Sequence, residues 1–168
     1  MRRSLKAAGV VAFAAACYTP LRPHVTLQPG YSLKNYQAVA VGPVENRTGN
    51  SFKYDIEDTL RTLLISAFHE DNVPVTRINS DTAGVLYLVS SLDEFRGGGV
   101  SASLPMVAVG SPKCEMSSRM TDAATGQAVG EIKSKNLVDQ STTSIMTPRQ
   151  LLASCARITA DELKRRMQ

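Results

Sequence analysis

Hydrophobic and polar positions follow one another along this chain in the manner of a mixed α/β fold. Alternating or continuous apolar runs predict five strands, at 36–44, 73–78, 84–95, 113–122 and 128–137. Apolar positions with a helical period predict two helices, at 55–70 and from 148 to about 166. The predicted element order is β-α-β-β-β-β-α, a mixed sheet with two helices packed against it.

The apolar patterns also predict where the strands lie in that sheet. The strand at 36–44 is apolar on both faces in its middle, which predicts a central strand covered on both sides. The strand at 73–78 is predicted to lie parallel to it, through a strand–helix–strand unit. The strand at 113–122 alternates cleanly, with Cys114, Met116 and Met120 on its buried face.

The second helix has a clear start signal. Thr147 is a good cap, Pro148 suits the first helical position, and Gln150 completes a capping box. The apolar stripe that follows includes Cys155. The strand face with Cys114 and the helix stripe with Cys155 are therefore both predicted to face the core.

Residues 18–32 show no periodic apolar pattern and contain Pro20, Pro23, Pro29 and Gly30. Such a composition predicts an extended tether of up to roughly 45 Å. The predicted organisation is a leader at 1–16, a cysteine with its Pro-rich tether at 17–35, and one globular domain at 36–168.

The leader has the pattern of a secretory signal peptide. Arg2, Arg3 and Lys6 precede the uncharged run 7–16, which ends at Cys17. That run is too short to span a bilayer, which takes about 20 residues. The small residues before Cys17 resemble the bacterial lipobox, which implies attachment of a lipid to the Cys17 thiol and cleavage before it. Two alternatives are an ordinary cleavage that leaves Cys17 first and an uncleaved signal anchor.

Net charge argues against a nucleic-acid partner. The chain carries a formal charge of +4. Three of these positive charges belong to Arg2, Arg3 and Lys6, so the remainder carries +1. Its Lys and Arg residues are scattered among acids rather than gathered in a basic patch.

An odd number of cysteines is accounted for if one of them carries lipid. Of the three cysteines, Cys114 and Cys155 then remain as a pair in an oxidising compartment. We predict a disulfide between them. The alternative is two buried free thiols, which behave as small apolar residues.

The segment 96–112 is Gly-rich, apolar and uncharged after Arg96. One interpretation is a mobile connection between two antiparallel strands. The other is a contact surface for a partner or a membrane, since long loops and exposed apolar patches often bind. Its candidate contact residues are Leu104, Met106, Val107 and Val109.

No catalytic grouping can be assembled from the sequence. His24 lies in the predicted tether and His69 on a helix surface, so neither a Ser-His-acid nor a Cys-His arrangement follows. Phosphate-binding and metal-binding motifs are not recognisable either. We therefore expect no enzyme activity, no cofactor and no metal.

Three segments in order resemble a family of bacterial envelope lipoproteins of unknown function. They are 39–49 followed by an amphipathic helix, 84–95 followed by a Gly-rich apolar loop, and the hairpin turn 122–126. The family is related in pattern to the globular domain of the curli-secretion channel lipoprotein and to the amino-terminal domain of the periplasmic protein TolB. The resemblance covers most of residues 36–166 and implies no catalytic residues.

These observations favour a lipid-anchored, non-catalytic binding or assembly module at the outer membrane, facing the periplasm. The alternative is an oligomeric secretion or pore subunit, as in the curli channel. Residues 100–112 are too few for two spanning strands of about 9–11 residues each, which weakens that alternative.

Overall fold

The computed structural model describes residues 22–78, 82–96, 112–137 and 147–168. They form a five-stranded mixed sheet with two helices, as the sequence predicts. In chain order the elements are β1 (His24–Leu27), a 3-10 turn (Leu33–Asn35), β2 (Ala38–Asn46), α1 (Ile56–Glu70), β3 (Val85–Arg96), β4 (Lys113–Asp122), β5 (Ala128–Leu137) and α2 (Pro148–Met167).

The strands lie side by side in the order β1-β5-β4-β3-β2. The pair β2 and β3 is parallel, and the other pairs are antiparallel. Both helices pack on one face, against a core that includes Leu86, Leu88, Met116, Met120, Ile132, Leu152 and Leu163. The predicted buried face of β4 is confirmed, since Cys114, Met116 and Met120 are at most 1 % exposed.

Both helices begin with a side-chain cap, and the cap at Thr147 is the one that the sequence predicts. The side chain of Asp55 accepts a hydrogen bond from the Asp58 N–H at the start of α1. At the start of α2, Thr147 and Gln150 form a reciprocal capping box, and Pro148 occupies the first turn. The local capping signal therefore predicts the start of α2 correctly.

The predicted strand at 73–78 is wrong, because that segment contributes only one parallel bridge, between Val39 and Val75. The Val39 N–H donates to Pro74 O at 2.9 Å, and the Thr76 N–H donates to Val39 O at 3.0 Å. Pro74 has no N–H with which to extend the pairing towards the start of β2. The predicted parallel direction is right, but the segment leaves β2 after a single residue pair.

The fifth strand lies instead within the stretch predicted as tether. Strand β1 pairs antiparallel with β5, with Val25 opposite Ile132. A Cβ at Gly130 would come within 2.2 Å of Thr26 O, so the close approach of β1 requires glycine at that position of β5. The element order is therefore β-β-α-β-β-β-α, and the fold begins before residue 36.

The prediction that the first long strand is central is also wrong, because β2 lies at the edge of the sheet. Val39 and Val41 of β2 face the core and the helices. The opposite face of β2 carries the small residues Ala40 and Gly42, and no helix covers it in the described chain. The ring of Tyr87 lies over Gly42, where a Cβ would meet the Tyr87 hydroxyl at 2.5 Å. An aromatic side chain from the neighbouring strand β3 thus covers that face of β2.

Candidate functional site

Five residues singled out from the sequence lie outside the described part of the chain. They are Cys17, Leu104, Met106, Val107 and Val109. Lipidation of Cys17 and the contact role of the 96–112 segment therefore stay predictions.

The two remaining cysteines are brought together in the core. Cys114 of β4 and Cys155 of α2 are both 0 % exposed, and both are free thiols in the structure. A hydrogen bond with Cys155, together with burial, raises the pKa of the Cys114 thiol well above its ordinary value. Such a thiol is a poor nucleophile, and the disulfide between the pair stays a prediction.

The histidines do not form part of a shared site. His24 lies on β1 rather than in a tether, with its Nε2 3.3 Å from Thr26 Oγ1, and His69 is exposed in the last turn of α1. Across the four described ranges, no three His, Cys, Asp or Glu side chains are grouped to hold a metal ion. Neither described helix is long and apolar enough to cross a membrane.

The sheet face away from the helices carries a bonded network of charges that the sequence analysis did not predict. Asp93 accepts hydrogen bonds from the hydroxyls of Ser91 and Ser117. Lys113, with a side chain only 13 % exposed, contacts Glu94 and lies 3.1 Å from Glu115. The bond to Glu94 raises the pKa of Lys113, and bonds from Lys113 and Arg96 lower the pKa of Glu94. Each of these charged groups therefore has a bonded partner on this face.

A cleft of about 720 Å³ opens along the outer edge of β2. The cleft forms because the chain diverges from β2 after the Val39–Val75 bridge, over residues 76–78. One wall is α1, the other is the departing segment, and Tyr87 lines it from the neighbouring strand. We call this space the β2-edge cleft; its volume lies in the usual range of ligand sites, roughly 300–1,000 Å³.

The β2-edge cleft combines an apolar wall with basic groups. Ile65 and Val75 line it together with Ile78, which is 50 % exposed. Its basic side chains are those of Arg61, His69 and Arg77, and its described lining contains no Asp or Glu.

Arg61 occupies the strand edge itself. Its Nε donates to Gly42 O at 3.2 Å, and its Nη2 donates to Val41 O at 3.4 Å. The first distance is slightly long and the second is close to the limit for a hydrogen bond. This α1 side chain therefore satisfies, weakly, carbonyl groups that a neighbouring strand would otherwise bind.

Comparison with known proteins identifies the fold. No protein-family model matches the sequence, and no curated protein matches it. A chain of the PelC dodecamer from Paraburkholderia phytofirmans is similar with a TM-score of 0.57 and 14% identity, covering 84% of this chain and 97% of that one. The hypothetical protein CT253 from Chlamydia trachomatis is similar with a TM-score of 0.56 and 11% identity, covering 79% and 98%. At such identities the similarity shows a shared fold.

Proposed function

We propose that this chain is a lipid-anchored, non-catalytic binding or assembly module of the bacterial envelope, held at the outer membrane and facing the periplasm. The observation that carries the proposal is the leader: basic residues, a short apolar run and small residues that end at Cys17. The fold supports it, because the chains that share it come from bacteria.

The position of β1 makes the proposed tether short. Strand β1 begins at His24, seven residues after Cys17. An extended chain of that length spans at most about 25 Å, about half the reach expected from a tether that ran to residue 32. Lipid on Cys17 would therefore hold the β1 side of the sheet close to the membrane surface.

We propose a non-catalytic protein because the histidines, cysteines and charged side chains of the described residues are not arranged as a catalytic site. His24 and His69 lie on different elements, and the hydroxyl beside His24 is that of Thr26, two residues along the same exposed strand. The thiols of Cys114 and Cys155 are enclosed by the core, and the charges around Asp93 and Lys113 bond one another. What the surface offers instead is an open strand edge and a cleft, which are features of a binding protein.

Replacement of the acylated cysteine tests the anchor. We expect Cys17→Ser to release the protein from bacterial membranes into the periplasmic fraction, because no lipid can then be attached. Cys155→Ala is the matched control and should stay in the membrane fraction. A Cys17→Ser protein that stayed membrane-bound in the same proportion as wild type would overturn the proposal.

A second candidate is an oligomeric secretion or pore-type subunit, favoured by the similarity to a chain of a dodecamer. Native mass measurement of the full chain in detergent distinguishes the two. A monomer or small complex supports the binding module, whereas a ring of many copies supports the pore subunit.

A further inference from the structure

We propose that the β2-edge cleft binds an acidic, extended peptide segment of another envelope protein, which pairs with β2 as an added strand. This inference deepens the proposed binding function by naming its site and the chemistry of its partner. The described lining of the cleft includes no residue of the 96–112 segment.

The backbone of β2 presents the Val41 N–H and C=O to the cleft, and the carbonyl is held there by a long bond from Arg61. In a strand, alternate residues direct their N–H and C=O groups to the same side. Val39 uses its groups to bond Pro74 and Thr76 on the outer side, so those of Val41 point outward as well. The described chain places no strand against Val41 on that side, since β2 ends the sheet. An extended peptide can therefore pair with Val41 where residues 76–78 diverge from β2, as far as the register shift between Val41 and Val44.

The neighbouring side chains favour an acidic and partly apolar segment. Arg61 and Arg77 supply two guanidinium groups, and no carboxylate in the described lining neutralises them. The exposed Ile78 and the wall formed by Ile65 offer contacts to apolar side chains. Alternate residues of a strand face opposite sides, so a segment that alternates acidic and apolar residues matches both features.

Arg61 protects the edge of β2 from pairing with other strands. Its guanidinium donates to the carbonyls of Val41 and Gly42. Edge strands that carry such charged covers avoid aggregation with other edges. An acidic peptide would replace these long hydrogen bonds with backbone pairing and offer Arg61 a carboxylate, whereas a basic peptide would leave that charge unpaired.

Peptide binding to the full chain in detergent tests the proposal. The probe is a fluorescein-labelled octapeptide in which valine and glutamate alternate, and its matched control alternates valine and lysine. We expect the acidic probe alone to raise fluorescence anisotropy, and we expect amide hydrogen exchange at Val41 to slow when it binds. The same acidic peptide with N-methyl groups on alternate residues of one edge should lose binding, because it cannot donate to β2.

Two variants test whether the positive charge of the cleft contributes to binding of the acidic peptide. Arg77→Glu should weaken binding of the acidic probe by at least about tenfold, the value of one charge-assisted hydrogen bond. Arg149→Glu, an exposed arginine at the start of α2, should leave it unchanged.

Equal binding of the acidic and basic peptides, or unchanged binding by Arg77→Glu, would overturn the assignment. Unaltered exchange at Val41 during binding would also overturn it. Anchorage through Cys17 is measured separately by fractionation. A chain that stays in the membrane fraction but does not bind the acidic peptide would refute this site and leave the proposed anchor intact.

Discussion

The hydroxyl of Tyr36 donates a 3.0 Å hydrogen bond to Asp122 Oδ2, which joins the segment before β2 to the turn between β4 and β5. Tyr36 is 5 % exposed. Burial and this bond raise the pKa of the Tyr36 hydroxyl, so it stays a donor at all physiological pH values. The pKa of Asp122 is lowered, first by the Thr125 backbone N–H and further by Tyr36 and Ala124. One carboxylate therefore organises the turn and fastens it to the chain that precedes the second strand.

Removal of the Tyr36 hydroxyl should destabilise the fold modestly. Tyr36→Phe is expected to lower the free energy of unfolding by about 1 kcal/mol, the usual value of one hydrogen bond. Tyr31 donates to Gln127 at the surface, and Tyr31→Phe should change stability by less than about 0.5 kcal/mol. Urea unfolding of the two variants measures the difference, and equal losses would contradict this role for Tyr36.

A buried hydroxyl pair should show strong coupling. Ser134 of β5 and Thr159 of α2 lie 2.7 Å apart at their hydroxyl oxygens, both at most 1 % exposed. Thr159→Val or Ser134→Ala should each lower the free energy of unfolding by about 1–3 kcal/mol, because each removes the bond between the two buried hydroxyls. After Ser134→Ala, Thr159 keeps its 3.2 Å bond to Cys155 O.

The double variant is expected to lose less than the sum of the two single losses, since no orphaned partner remains. Additive losses in a double-mutant cycle measured by urea unfolding would show that the two hydroxyls contribute independently.

Acidic residues at the junction of the two helices should make stability depend on pH. Partial burial of its carboxyl, then the neighbouring Asp71, raises the pKa of Asp161. Asp71 Oδ2 is buried and accepts no hydrogen bond in the described chain, so it can accept from a protonated Asp161. Lys164 Nζ, 3.5 Å from Asp71 Oδ1, and Arg157, which contacts Glu70, partly offset the repulsion.

The sign of this effect follows from the raised pKa. Between the unfolded-state pKa, about 3.9, and the higher folded-state pKa, the folded protein holds the proton more tightly than the unfolded chain does. The contribution of Asp161 to stability is therefore fully present below the unfolded-state pKa and is lost as pH rises through the folded-state pKa. Asp161→Asn should therefore raise the free energy of unfolding at pH 7, and this gain should shrink near pH 4. Urea unfolding at the two pH values checks it, with Asp161→Asn in an Asp71→Asn background as control. The gain should be smaller in that background, because only the contribution of burial remains, and an undiminished gain would contradict the pairing.

Oxidation of the buried cysteines is directly measurable. We expect Cys114 and Cys155 to be disulfide-bonded in protein taken from the periplasmic side of the envelope, because the fold brings them together. Denatured protein treated with an alkylating reagent should gain no label on either residue until a reductant is added. Mass spectrometry that found both alkylated before reduction would show a pair of free thiols instead.

Much of the fold was predictable where local signals agree with tertiary contacts. Strands β4 and β5 have the predicted bounds, because alternation and the Asp122–Gly126 turn act within one hairpin. The capping box at Thr147 likewise marks the start of α2. The shared burial of Cys114 and Cys155 followed from the two apolar stripes.

The errors occurred where long-range contacts outweigh local pattern. Strand β1 alternates over only four residues, and its pairing depends on Gly130 about a hundred residues away in sequence. Residues 73–78 have strand-forming composition, but Pro74 restricts their pairing. The β2-edge cleft was not predictable, since it arises from the departure of that segment from β2.

The mass of the amino-terminal peptide tests the central claim most directly. Protein purified from bacterial membranes should yield a peptide that begins at Cys17 and carries the added mass of acyl chains, with residues 1–16 absent. Release of those chains by base hydrolysis would identify them as esters. A peptide that began at Cys17 without added mass, or that retained residues 1–16, would contradict the lipid anchor on which the proposed function depends.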